Sequence, residues 1–302
     1  MAVFERLAPA KVNLFLHVGP LGADGYHPIC SLMTFADLGD VIGLENSDRN
    51  ELVITGPFAD GLSSGADNLV ARAREAVLEA FETPAGAYRL TLDKQLPIAA
   101  GLGGGSSDAA ATLVLMAESL GLVGVDAALD EEAWGAIGEI ALSLGSDTPA
   151  CVVGEPRLAS GRGEVLDFPP IFPDLDAVLV NPAVLSDTAA VYRAYDSFRD
   201  AGGDDAPAFP APLESAEATA AWLARQRNDL EGPAISLAPQ IAVALRLLKD
   251  QPETLLARMS GSGATCFALC RNRQDAQDLA LRIGSSHGRW WVRACRLKGF
   301  YA

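Results

Sequence analysis

The segment LPIAAGLGGGSSDAAATLVLMAESLGL, residues 96–122, constrains the chain more than any other. Glycines stand at 101, 103, 104 and 105, two serines follow, and the remainder is apolar and helical in composition as far as Gly121. Tyr88 to Asp93, just before it, reads as a strand, so the order is strand, glycine loop, helix. Such a loop turns backbone amides toward a ligand with no Cβ in the way, and the helix start adds its positive dipole end. The first helical turn is read as Asp108, Ala109 and Ala110, and Ser106 and Ser107 can offer hydroxyls to phosphate oxygens or to magnesium. A plain reading competes: a Gly/Ser linker, or a helix entry capped by Ser107. A linker has no reason to join a strand to an apolar helix.

Familiar nucleotide signatures are missing. No lysine follows the glycines as in G-x-x-x-x-G-K-[ST], and Ser106 stands where G-x-G-x-x-G needs its third glycine. Protein-kinase H-R-D and D-F-G elements are absent, as is G-x-S-x-G around Ser106 or Ser262. The 23 Lys and Arg against 39 Asp and Glu leave a net charge of −16, which repels a nucleic-acid backbone. Attraction for a phosphate ligand must therefore be local. Five cysteines without C-x-x-C spacing, and only three histidines, exclude a disulfide framework and a zinc cluster. The first residues carry Glu5 and Arg6 where a signal peptide needs an apolar stretch, and no run reaches a membrane span, so a reduced cytoplasmic protein is expected.

Along the chain, Lys11 to Val18 alternates strictly and reads as a strand, followed by strands at Ile29 to Ala36, Asp40 to Leu44 and Glu51 to Thr55. A helix starts at an Asp67 cap and stops before Pro84; another spans Asp130 to Leu144. Ser-Asp-Thr-Pro reads as a turn, and Cys151 to Val153 as a return to strand. The second half reads as strand Asp176 to Asn181, helices Thr188 to Phe198 and Pro239 to Leu248, and strands Leu255 to Met259 and Thr265 to Cys270. Helix Gln274 to Ile283 and strand Trp290 to Cys295 complete it. That order fits a split βαβ, ferredoxin-like layout. DAGGDDAPAFPAPLESA reads as a surface loop.

Several residues admit two readings. Lys11 and Asn13 point the same way from one strand, as an ordinary solvent face or as part of a site. Asp147 is a turn residue, or the carboxylate that phosphoryl transfer to an alcohol wants near the hydroxyl. Tyr26 and His27 end a turn; together they offer a stacking face and ring nitrogens suited to a nucleobase. MSGSGATC, residues 259–266, is a tight hairpin or a second ligand contact.

Taken together, PAKVNLFL, DGYHPICSL, LPIAAGLGGGSSDAAA, LGSDTPAC, NDLE and MSGSGATCF resemble the GHMP kinase superfamily, which includes galactokinase, homoserine kinase and mevalonate kinase. The resemblance spans nearly the whole chain. It implies an α+β, two-domain GHMP kinase architecture: an N-terminal domain like the second domain of ribosomal protein S5 over 1–157 and a ferredoxin-like domain over 158–302. It also implies transfer of the ATP γ-phosphoryl to the 2-hydroxyl of a diphosphocytidyl methylerythritol, with Mg²⁺ as helper ion. By the same resemblance, Asp147 is the base and Lys11 the cation beside it. Asn68, Pro97, Ile98, Ala99, Ala100, Gly101, Leu102, Gly103, Gly104, Gly105, Ser106 and Ser107 bind ATP. On the acceptor side, His27 reads the cytosine edge, Tyr26 and Tyr192 sandwich the ring, and Asn13, Thr188 and Asp147 contact the acceptor. The magnesium ligands stay open. The expected partner is this small molecule, neither nucleic acid nor membrane, with the chain a monomer or weak homodimer. Two other readings remain: a GHMP kinase for homoserine or mevalonate, and a nucleotide-binding regulatory module without turnover.

Overall fold

The computed structural model describes residues 4–81, 87–122, 131–197, 203–209 and 212–301. The chain forms two compact units that interleave along the sequence: Met1–Ala10, Leu38–Leu96 and Gly103–Gly154 in the first, Lys11–Asp37, Pro97–Leu102 and Glu155–Ala302 in the second.

The first unit takes the start of β1 (Phe4–Val18), the end of β2 (Ile29–Ser47), β3 (Glu51–Thr55) and β4 (Ala87–Asp93), with α1 (Leu69–Ala80), α2 (Gly104–Ser119), α3 (Glu131–Leu144) and α4 (Thr148–Val153). β3 runs parallel to β4 because α1 carries the chain back between them, and β4 runs antiparallel to β2. Ile42, Leu44, Leu90 and Leu92 from the sheet share one core with Val70, Val77, Leu113, Met116 and Ile137 from the helices. Every residue of α2 from Ser107 to Ala117 is buried. A helix with no solvent face needs small residues for close packing, which Ala109 to Ala111 supply.

The second unit holds the rest of β1 and β2, β5 (Arg157–Gly161), β6 (Val165–Asp167), β7 (Leu175–Asn181), β8 (Thr254–Met259), β9 (Cys266–Cys270) and β10 (Trp291–Leu297). Its helices are α5 (Thr188–Tyr195), α6 (Ala216–Leu223), α7 (Glu231–Leu237), α8 (Gln240–Lys249) and α9 (Arg273–Ser286). Its four C-terminal strands pair antiparallel in the order β10, β7, β9, β8. In chain order that is fourth, first, third, second, the arrangement of a split βαβ unit. The two inner strands carry apolar runs, AVLV within LDAVLVN and CFALC, because both their faces are covered there. Arg258, on β8, is buried and donates to the carbonyls of Leu14, Leu223 and Gln226; burial lowers its pKa to about 10. Among the described residues, no helix is long and apolar enough to cross a membrane.

Some expectations change. Cys151 to Val153 is the end of helix α4, not a strand: Pro149 sits in the first turn, where its missing N–H costs nothing, and Gly154 closes the helix in the left-handed region. The strands expected at Ile29 to Ala36 and Asp40 to Leu44 are one strand, β2, since pairing partners continue on either side of Gly39. Helix α1 is capped by Asn68, whose Oδ1 accepts from Val70 N at 2.9 Å, not by Asp67, which accepts from Ser63 instead. Helix α2 begins at Gly104 rather than Asp108. Strands β5 and β6 and helices α6 and α7 escaped the periodicity reading. Asp130, Pro84, Phe198 and residues 200–202 and 210–211 of the surface loop lie outside the described residues.

Candidate active site

In the second unit, three segments meet around the first half of the glycine loop: β1, the residues at Ser186 and the turn 260–265. Lys11 N donates to Leu102 O, and Asn13 N donates to Ser260 Oγ, which in turn donates to Gly101 O at 2.9 Å. Ser186 N donates to Ala99 O and Thr265 N to Ala100 O, both at 3.0 Å. The turn 260–265 therefore clasps the loop's backbone, and position 101 has no room for a side chain. A Cβ there would stand 2.4 Å from Ser260 O and 2.8 Å from Gly263 N, with φ already at +72°. Asn228 braces the turn from below, donating through Nδ2 to Met259 O and Gly261 O. This resolves the two readings of MSGSGATC: it is a hairpin connection between β8 and β9 and also a support for the loop.

In the first unit the loop's second half opens α2. Gly103 takes the left-handed region, φ 62°, ψ 20°, so it needs no side chain and makes no side-chain cap. The amides of the first helical turn are left without intrahelical partners, as an anion site requires. Ser107 does not join them: its N–H donates to Gly103 O and its hydroxyl to Pro9 O at 2.7 Å. Ser106 is only partly buried.

Behind this turn lies a buried charge cluster that sequence reading missed. Lys94 Nζ donates to Asp40 Oδ2 at 2.5 Å and to Asp108 Oδ2 at 2.6 Å, while Asp40 Oδ1 accepts from the amides of Gln95 and Leu96. Burial pushes the Asp108 carboxyl well above the usual carboxylate range, with Lys94 opposing and Asp40 reinforcing the rise. Burial works against the charge on Lys94, but the two carboxylates outweigh it and hold the ammonium above its ordinary value.

The expected catalytic residues lie on well-formed elements. Lys11 is 4 % exposed on β1 and so is no solvent-face lysine. Asp147 is half-buried at the N-cap of α4 and spends no side-chain bond on capping. Asn68, by contrast, uses both ends of its amide locally, accepting from Val70 N and donating to Ser63 O.

The acceptor candidates fall together in the second unit. His27 stacks on Tyr192, centroids 5.4 Å apart at 29°. Its Nδ1 lies 2.9 Å from Gly19 O and its Nε2 lies 3.1 Å from Asp196 Oδ1, so each ring nitrogen faces a group that only accepts. Tyr26 is 56 % exposed and does not stack with either ring; the Arg162 guanidinium lies over it at 4.2 Å while bonding Asp24. Thr188 Oγ1 is 2.8 Å from Ser262 Oγ and lies one helical turn from Tyr192. Asn13 donates to Ser31 Oγ at 2.7 Å, leaving its Oδ1 buried without a protein partner. That acceptor is available to a ligand hydroxyl.

Comparison with known proteins gives the class of a chain with this glycine loop and this strand order: a small-molecule kinase. The GHMP kinases N terminal domain model matches residues 68–155 and the GHMP kinases C terminal model residues 213–289. The 4-diphosphocytidyl-2-C-methyl-D-erythritol kinase of Caulobacter vibrioides (strain NA1000 / CB15N) is 52% identical over 97% of this chain and 99% of its own length. A crystal structure of 4-(cytidine 5'-diphospho)-2C-methyl-D-erythritol kinase is 34% identical, with TM-score 0.76 over 98% of this chain and 100% of that one. Homoserine kinase from Cytophaga hutchinsonii, at 19% identity and TM-score 0.67 over 99% and 95% of the two chains, shares the fold. The chain belongs to the 4-diphosphocytidyl-2-C-methyl-D-erythritol kinase family of GHMP kinases.

Proposed function

We propose that the chain transfers the γ-phosphoryl group of ATP to the 2-hydroxyl of 4-diphosphocytidyl-2-C-methyl-D-erythritol. The observation that carries the reading is near-full-length identity of 52% to a kinase of that name. Asp147 accepts the hydroxyl proton as the oxygen attacks phosphorus; the bond from the γ-phosphorus to the bridging oxygen breaks and ADP leaves. Lys11 offsets the charge that develops on the transferring group. ATP lies along Pro97 to Ser107 with Asn68 nearby, its phosphates on the amides from Gly103 to Ser106. Asn13, Tyr26, His27, Thr188 and Tyr192 bind the acceptor, His27 through the cytosine edge. The buried, unpartnered Oδ1 of Asn13 supports a polyol hydroxyl as its ligand.

Magnesium fits this arrangement as an ion carried on the nucleotide. Among the described residues no three acidic, histidine or cysteine side chains converge on a metal site, and Mg²⁺ is commonly held by substrate phosphates with one or two protein oxygens. The Ser106 hydroxyl would supply one, and the ion would neutralise phosphate charge. Along the sequence we assign the nucleotide-binding domain to 1–157 and the ferredoxin-like domain to 158–302, supported by family-model matches on either side of residue 157, although the compact units group Lys11–Asp37 and Pro97–Leu102 with the C-terminal residues. The five cysteines are unbridged, which supports a cytoplasmic location. A monomer or weak homodimer is expected on size exclusion.

The test is ADP release by purified protein with ATP and Mg²⁺, comparing the cytidine compound with homoserine and mevalonate. Turnover with the cytidine compound alone is expected. Turnover with either alcohol instead, or none with any despite ATP binding, would overturn the reading.

A further inference from the structure

The loop from Pro97 to Gly103 has two feet: the segment Lys94–Leu96 that enters it and the helical turn Gly104–Asp108 that leaves it. Both feet are tied to one residue of β2. Asp40 Oδ1 accepts from Gln95 N at 2.6 Å and Leu96 N at 2.8 Å, holding the first foot. Its Oδ2 meets Lys94 Nζ, which also meets Asp108 Oδ2 and so holds the second. The ammonium lies directly under the turn: a methyl group on Gly104 would stand 3.1 Å from Nζ. The arrangement is almost wholly dry, with side chains 0–5% exposed. It is also unequal, with two carboxylates to one ammonium, and Asp108 Oδ1 has no partner.

We infer that Asp40, Lys94 and Asp108 are positioning residues that set the span of the phosphate loop, and that Lys94 serves ATP by bracing this loop rather than by touching phosphate. A lysine beside a glycine loop invites the opposite assignment, as a phosphate ligand. Its burial and its two short carboxylate bonds argue against it. A buried ion cluster that broke even in stability would still be retained for the geometry it specifies. The inference rests on the proposal that the loop holds ATP.

The test measures KM for ATP and KM for the acceptor in Asp108→Ala and Asp108→Asn, beside Gly105→Val as a probe of the loop itself. Asp108→Ala should raise KM for ATP about tenfold, the scale of a small misplacement of binding groups, with KM for the acceptor moved less than twofold. Asp108→Asn, which keeps the shape and an acceptor for Lys94, should return KM for ATP to within about twofold of wild type. Should Asp108→Ala not fold, Asp40→Asn takes its place: it keeps an acceptor for the two amides, loses a charge opposite Lys94, and should show the same split. If both KM values move together, or neither moves in a folded variant, the bracing role is overturned. If Gly105→Val leaves KM for ATP unchanged, the nucleotide reading of the loop itself fails.

A second readout follows from charge. Asp40 and Lys94 are the charged groups acting on Asp108 among the described residues. Asp108 keeps its proton in the folded state to about 8, against an ordinary 3.8. The folded chain then binds more protons than the unfolded chain across that window, so this group's contribution to stability falls as pH rises through it. The thermal midpoint of Asp108→Asn minus that of wild type should grow from pH 4 to 8. A difference independent of pH would mean that Asp108 titrates alike in the folded and unfolded chain and that burial does not hold its proton in the cluster.

Discussion

The two halves of the candidate site are built from different materials. The half proposed for the nucleotide is backbone: the amides at the start of α2, and carbonyls clasped by Ser260, Ser186 and Thr265. Its side chains point away, into Pro9 O from Ser107 and into the buried Lys94 cluster from Asp108. The half proposed for the acceptor is side chain: His27 on Tyr192, Tyr26 under Arg162, and an unsatisfied amide oxygen on Asn13. The difference teaches where tolerance lies. A backbone site is damaged by added atoms and is indifferent to many side-chain changes, whereas a side-chain site loses one contact at a time.

Four substitutions sharpen or break that contrast. Asp147→Asn, which changes one oxygen of the proposed base, should lower kcat by about 10²-fold or more with an unchanged melting temperature. Activity near wild type would remove Asp147 from the proton's path. Gly101→Ala should be the most damaging change to the fold, at roughly 2–4 kcal/mol, because it adds left-handed strain to a collision with Ser260 O. Chemical denaturation measures it, and a loss below about 1 kcal/mol would show that the clasp yields easily. His27→Ala should raise KM for the acceptor about tenfold, the scale of a lost hydrogen bond to a base edge, and leave KM for ATP alone. If KM for ATP rises equally, the two halves are not separable. The smallest effect is a gain. Ala99 sits at φ 48° in the clasped loop, so Ala99→Gly should stabilise the chain by about 1 kcal/mol in the same denaturation experiment.

Much of the second unit was readable because its inner strands are covered on both faces. Residues 177–180 and 266–270 are apolar runs, and the boundaries of the strands that hold them fall within a residue of the periodicity reading. Helix α4 was not readable: TPACVV carries β-branched and small residues, and only the left-handed Gly154 that closes it tells a helix from a strand. The seven-residue α7 and the three-residue β6 are too short to show a periodicity. Within the site, the glycine loop stood out on composition alone. Asp40, by contrast, looked like any strand-starting aspartate, and Lys94 like a polar residue after a strand.

What the sequence determined by itself was the loop, its order between strand and helix, and the residue types available for phosphoryl transfer. Those are local facts, set by glycine's missing Cβ and by side-chain periodicity over a few residues. Only the tertiary structure decided which of those residues are spent. Asn68 is consumed by local bonds, the Ser107 hydroxyl by the carbonyl of Pro9, 98 residues away, His27 faces Gly19 O and Asp196 Oδ1 with its two ring nitrogens, and Lys94 is buried between carboxylates 54 and 14 residues distant in sequence. The reason is physical: a polar side chain's partner is whatever the fold places within about 3 Å of it, and no local pattern encodes that distance.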